Sequence, residues 1–193
     1  MSWFSKLELA EIGFAAVGDE VYISKKASIY GAGRIHIGNR VRIDDYCVIS
    51  AGNNGITICD NVHIAVYVSI IGAGHIFIGD FVGISSRTSI YSSNDDYSGA
   101  FLTGPTVPSQ FSNVTSASVV IGRHSIIGSG SVILPGVDIE ECCAIGALSL
   151  VRRSCERFGI FAGNPLRKIG ERKADLLKLE KQYIESISNI RQK

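Results

Sequence analysis

Few side chains in this 193-residue sequence are suited to chemistry. Four histidines, His36, His63, His75 and His124, ordinarily exchange a proton near neutral pH and are candidate general bases. Two adjacent carboxylates, Asp95 and Asp96, follow Asn94 in the stretch Ser93-Asn94-Asp95-Asp96. With an ordinary pKa of about 4, a carboxylate is a weak base unless desolvation raises it. The five cysteines (Cys47, Cys59, Cys142, Cys143, Cys155) are odd in number, and no pair has CxxC or zinc-finger spacing. They read as buried thiols in a reducing compartment, which points to a cytoplasmic protein with no metal expected.

A repeat of six residues must position these groups. Isoleucine or valine opens hexad after hexad: Val17, Ile23, Ile29; Ile37, Ile43, Ile49; Ile58, Ile64, Ile70; Ile78, Ile84, Ile90; then Ile121, Ile127, Ile133, Ile139, Ile145 and Val151. A second register of mostly small residues runs four positions behind, as in Val41, Cys47, Val62, Val68, Ser125 and Ser131. Small residues such as Gly38, Ser85, Gly128 and Gly146 often follow the opening aliphatic. A period of six fits neither an α-helix nor two-residue alternation. It fits short strands that each turn one aliphatic inward and then round a corner, where small residues allow close packing or unusual dihedrals. Three hexads make one coil, and coils stack about 4.8 Å apart through parallel ladders. An antiparallel sandwich would space its turns less regularly.

The expected fold is all-β: a parallel β-helix of about six triangular coils over residues 17–163. Extra residues at Gly52–Thr57 and Gly72–Phe77 should bulge at one corner. The beat stops across 91–120, a long mid-chain loop with two prolines and the aromatics Tyr91, Tyr97, Phe101 and Phe111. Such a loop inside a periodic fold is usually functional or disordered, and its aromatics suggest packing on a neighbouring subunit. Residues 1–16 should cap the open first coil, whose bare edge would invite aggregation. Residues 164–193 read as a helical tail with an apolar stripe at Leu176, Leu179, Tyr183, Ile187 and Ile190. Nineteen basic residues against eighteen acidic ones give no field for nucleic acid or an anionic membrane. Lys6 and Glu8 interrupt the first apolar stretch, so no signal peptide or membrane span is read.

Isoleucine-led hexads, one long loop, and Ala162-Gly163-Asn164-Pro165 followed by Arg167 and Lys168 resemble the hexapeptide-repeat acyltransferases over about residues 17–170. The likeness is closest to the sugar O-acetyltransferase branch. The stretches 92–99 and 162–168 resemble those of bacterial surface-polysaccharide members. The resemblance implies a left-handed coil, a homotrimer, and acetyl-CoA lying between adjacent prisms, with one subunit's loop closing its neighbour's site. The acceptor would be a sugar or nucleotide sugar, acylated on a hydroxyl or an amine. CoA would meet backbone near Gly128, Ser129, Gly146 and Ala147, with Asn164, Pro165, Arg167 and Lys168 holding the pantetheine and nucleotide. The family commonly places a basic histidine near the start of the loop, where this sequence has Ser93-Asn94-Asp95-Asp96. Three readings therefore stand: His63 as base, with Asp95 or Asp96 orienting it or binding the acceptor; a carboxylate acting alone; or an amine acceptor that needs no strong base. His75 and Tyr97 are candidate contacts to the acceptor. Related prism proteins bind zinc through three convergent histidines, for which no suitable spacing appears. A non-catalytic β-helix is the alternative function.

Overall fold

The structure, a computed structural model, describes residues 2–191 and side chains as far as Ile187. Ile190, expected in the helical stripe, lies outside the side chains described. The chain winds into a three-faced parallel β-helix. The first face stacks Ala16–Val17, Ile35–Ile37, Ile56–Ile58, Ile76–Ile78, Val119–Ile121 and Asp138–Ile139. The second stacks Tyr22–Ile23, Arg42–Ile43, His63–Ile64, Gly83–Ile84, Ile126–Ile127, Ala144–Ile145 and Gly159–Ala162. The third stacks Ser28–Tyr30, Val48–Ala51, Ser69–Gly72, Ser89–Tyr91, Val132–Ile133 and Leu150–Val151. Register pairs the expected aliphatics coil on coil, for example Ile43 with Ile64 and Ile84 with Ile127.

The inward aliphatics form the core: Ile23, Ile43, Ile64, Ile84 and Ile127 are all at most 1% exposed. Each such side chain contributes about 1.5–3 kcal/mol on burial. The small second-register residues also point inward, at the corners. Thr88, Ser125, Ser131 and Ser149 are buried there and give their hydroxyl protons to backbone carbonyls.

Two corners keep the six-residue rule. At the first-to-second corner the left-handed backbone falls on large residues, among them Arg40, Asn61, Phe81, His124 and Cys142. The glycines there serve another need. A Cβ on Gly122 would lie 2.5 Å from the amide of Glu141 in the next coil, so stacking distance rather than dihedral demands glycine. At the third-to-first corner every early coil carries extra residues: Gly31–Arg34, Gly52–Gly55 and Gly72–His75. The expected bulges thus fall at one corner, joined by a third between coils one and two.

Both ends are covered. Helix α1 (Lys6–Ile12) starts from a capping box between Ser5 and Glu8, ends at left-handed Gly13, and buries Leu9 against the first coil. At the far end the repeat outlasts Val151. Cys155 bridges to Ile139, and Gly159–Ala162 adds a seventh strand to the second face. The chain then reverses at Asn164 and cis-Pro165, and Arg167–Glu171 returns antiparallel along that strand. The segment expected as a helical tail from residue 164 therefore begins as a hairpin strand that occupies the open edge. Helix α2 (Leu176–Arg191) follows and lies on the first-to-second corner. There Tyr183 donates to Asn61 (3.1 Å) and packs on Phe81, while Glu180 meets Arg123 and His124. No helix among the described residues is long and apolar enough to cross a membrane.

Candidate active site

The loop leaves and rejoins the prism at the third-to-first corner. Ser93–Asn94 pairs antiparallel with Thr115–Ser116, so the excursion proper is 95–114, shorter than the expected 91–120. Its root is bonded to the corner below. Ser92 Oγ donates to the Gly74 carbonyl (2.7 Å), and the amide of Val119 donates to the His75 carbonyl (2.9 Å).

The two loop carboxylates differ. Asp96 accepts from the Ser98 amide (2.8 Å) and from Asn113 Nδ2 (3.2 Å). The Ser98 hydroxyl, Ser98 amide and Asn113 bonds hold its carboxyl below the usual range. Asp96 therefore braces the loop. Asp95 is exposed and among the described residues meets only the Gly104 amide, at 3.3 Å, which leaves most of its lone pairs for a ligand. Asn94 sits in the ribbon, where its carbonyl accepts from Thr115. Tyr97 is 92% exposed.

His63 lies elsewhere. It stands on the second face, its Nε2 2.9 Å from Oδ2 of Asp44, which also accepts from Arg42 Nε at 2.7 Å. The expected orientation of His63 by Asp95 or Asp96 is thus replaced by Asp44. Within one chain the loop departs from a different corner. His75 does lie at the loop corner, directly beneath the root, with Nε2 3.1 Å from Thr57 Oγ1. His124 stacks on Phe81 under helix α2, and His36 is exposed on the first face.

The residues expected to meet CoA gather at the second-to-third corner and beyond it. Gly128 and Gly146 donate their amides to Ile145 and Phe161 carbonyls, both at 2.7 Å. Those amides are committed to the ladder and not free for a ligand, which corrects the expectation of backbone recognition at these two positions. The glycines keep the corner narrow, and Ser129 and Ala147 are exposed on it. Ser85 occupies the equivalent position one coil lower, its amide likewise bonded to Ile127 O, its hydroxyl left over. Asn164, Pro165 and Arg167 are exposed past the last coil. Lys168 is held by Glu156 (2.6 Å) and Glu171 (2.7 Å), which push its ammonium pKa up, so it stays protonated with two carboxylates already bonded to it. Arg152 and Arg153 instead join Arg167 and Pro165 around a small cleft. Sequence reading passed over this arginine pair, although its place just after the last regular hexad was a usable signal. It also passed over Ser85, one corner residue among several small ones.

All five cysteines are unpaired. Burial pushes the thiols up, Cys47 to about 11 and Cys143 to about 12, so they are poor nucleophiles. Among the described residues no group of three His, Cys, Asp or Glu side chains could hold a metal ion.

A triangular solenoid with one ejected loop and a cationic end is the build of a hexapeptide-repeat transferase, and comparison with known proteins agrees. Residues 118–153 match the family model described as bacterial transferase hexapeptide (six repeats). The chain is 52% identical to dTDP-4-amino-4,6-dideoxy-D-glucose acyltransferase of Escherichia coli, over 95% of both chains. It is 46% identical to AntD, an N-acyltransferase from Bacillus cereus, covering 96% of this chain and 98% of that one, with a TM-score of 0.91. That structure holds dTDP-4-amino-4,6-dideoxyglucose and coenzyme A, and another of AntD (TM-score 0.92, 46% identity) holds dTDP and 3-hydroxybutyryl-CoA. The present chain belongs to the hexapeptide-repeat acyltransferase family and is an acyltransferase. AntD has been solved as variants at one serine and at one aspartate ten residues further on. Here Ser85 and Asp95 have that spacing, as do Ser86 and Asp96.

Proposed function

We propose that this enzyme transfers an acyl group from acyl-CoA to the 4-amino group of a dTDP-4-amino-4,6-dideoxyhexose. The observation that carries the reading is Asp95, an exposed and nearly unpartnered carboxylate at the root of the loop, in a stretch that holds no histidine. An unprotonated amine is nucleophilic without a base and needs positioning more than activation. Asp95 accepts a hydrogen bond from the amino group and aims its lone pair at the thioester carbon. The C–N bond forms, the C–S bond breaks, and the proton lost by nitrogen ends on the CoA sulfur. The Ser85 hydroxyl offers a hydrogen bond to the reacting groups from the opposite wall.

Ser85 and Asp95 flank the third face of one prism, with strand Ser89–Tyr91 between them. A shared site therefore joins the second-to-third corner of one protomer to the loop corner of the next, and a closed ring of three satisfies all such contacts. This supports the homotrimer, with loop 95–114 reaching the neighbour. Ser129 and Ala147 line the pantetheine path, and the arginine cleft (Arg152, Arg153, Arg167) takes the CoA phosphates. CoA chemistry and five free thiols fit a cytoplasmic setting, and an N-acylated dTDP-sugar fits a precursor of surface polysaccharide.

The test incubates the purified protein with dTDP-4-amino-4,6-dideoxyglucose and either acetyl-CoA or 3-hydroxybutyryl-CoA. CoA thiol release and an acylated product that resists hydroxylamine are expected, as for an amide. Acylation of a hydroxyl-bearing dTDP-sugar with none of the amine would overturn the reading.

A further inference from the structure

The N-terminal cap leaves part of the first coil open. Trp3 and Phe4 bond along the outer edge of the second face, whereas the first face simply ends at Ala16–Val17. Between that edge and helix α1 lies a groove of about 760 Å³, with apolar walls from Trp3, Phe4, Ala10, Phe14, Val17 and Tyr22. Tyr22 is half-exposed in it, and Ala10 is exposed on its rim. Beside it on α1, Leu7 stands 79% exposed. A groove with an aliphatic knob next to it is a contiguous apolar patch, which marks a contact surface more than scattered single hydrophobics do.

The charges on α1 say what covers it. Lys6 opens the helix and Glu11 stands one residue from its end. A helix dipole favours acids at its start and bases at its end, so both residues sit at the wrong end of their own helix. The Lys6 side chain is 90% exposed and reaches Asp19 only at 3.7 Å, and Glu11 is exposed. A second α1 laid antiparallel on the first reverses this. Lys6 of each copy then lies opposite Glu11 of the other, each charge beside the favourable end of the facing dipole, with Leu7 and Ala10 between the two pairs.

We infer that this end of the prism docks on a second copy of the chain, cap to cap about a two-fold axis, with Leu7 of each copy entering the groove of the other. Such a contact uses the same patch twice and closes on itself. It needs only the end of one prism, so it stands apart from the reaction proposed above. In a ring of three prisms side by side, the three caps face one way and join two rings, and three modest contacts act together.

The test weighs the intact assembly by light scattering and sedimentation, for the parent chain, Leu7→Asp, Glu11→Lys, and Lys6→Glu combined with Glu11→Lys. Leu7 and Glu11 are exposed, so their variants keep the prism, and kcat for acyl transfer should stay within about twofold of the parent. Leu7→Asp and Glu11→Lys are each expected to halve the mass of the assembly. The double charge reversal restores the facing pairs and should bring the full mass back. A parent with the same mass as Leu7→Asp would overturn the docking. So would a double reversal that stays at half mass. Equal masses, with a hydrophobic dye bound by the parent and lost in Leu7→Asp, would give the groove to a small apolar ligand and overturn the docking as well.

Discussion

Two corners of the prism follow opposite rules. The first-to-second corner takes the chain from face to face in six-residue steps, coil after coil. Its carboxylates and amides bond to one another, with Asn39 and Asp60 accepting from Asp19 and Asn39 amides and Asp80 accepting from the Asp60 amide. The third-to-first corner breaks the beat in each early coil and then releases the loop. Its polar side chains, Asn53, Asn54 and Asp95, face solvent, as does His36 on the first face beside it. Where backbone spacing is saturated, side chains serve the fold. Where the repeat is relaxed, they are left over for a ligand.

The sharpest way to break this contrast is within the loop. Asp95→Asn should lower kcat by about a hundredfold or more, and Asp96→Asn by less than about tenfold, in a thiol-release assay. Equal losses would mean that both carboxylates serve the same purpose. The next effect concerns stability. Gly128→Val forces its side chain into the backbone of Gly146 and Ala147 and should cost about 3 kcal/mol in urea denaturation. Asn53→Ala, exposed on the relaxed corner, should cost less than about 0.5 kcal/mol. Smaller again, Glu180→Gln removes the charge that faces Arg123 and His124 under α2. It should loosen the helix by about 1 kcal/mol, seen as faster amide exchange over 176–187, while kcat is unchanged.

The smallest effect is a pH dependence at the N-terminal cap. The Lys25 ammonium and then the Ser5 amide and hydroxyl hold the Glu8 carboxyl down, from 4.5 to about 2. Because the folded value is lowered, its contribution is complete above pH 4.5 and is lost as pH falls toward 2. Exchange at the Glu8 amide should rise in that window, with the loop corner's exchange as the control.

Much of this was legible beforehand. Every hexad-opening aliphatic from Ile23 to Val151 sits inward in the register its spacing indicated, because each strand has room for one large side chain and the ladder fixes the rest; Val17 keeps the register but is exposed on the first coil. The loop and the extra residues of the third-to-first corner were legible as breaks in that rhythm. The partner of His63 was not. Outward side chains choose among neighbours on two or three coils, and Asp44, nineteen residues earlier, wins through a diagonal contact that periodicity does not rank. The hairpin after Pro165 was hidden too, since Arg167–Glu171 has the composition of a helix start and becomes a strand only because an open edge lies beside it.

The sequence by itself determined the six-residue period, the three faces and the position of the interruption, since these follow from local sterics and the burial of one side chain per strand. Tertiary structure alone decided which polar groups remain free. Asp96 is spent on Ser98 and Asn113, Lys168 on two glutamates, and the Gly128 and Gly146 amides on the ladder, whereas Asp95, Arg152 and Arg167 are not. A hydrogen bond is set by angle and distance between segments far apart in the chain, and those are fixed only once the coils have stacked.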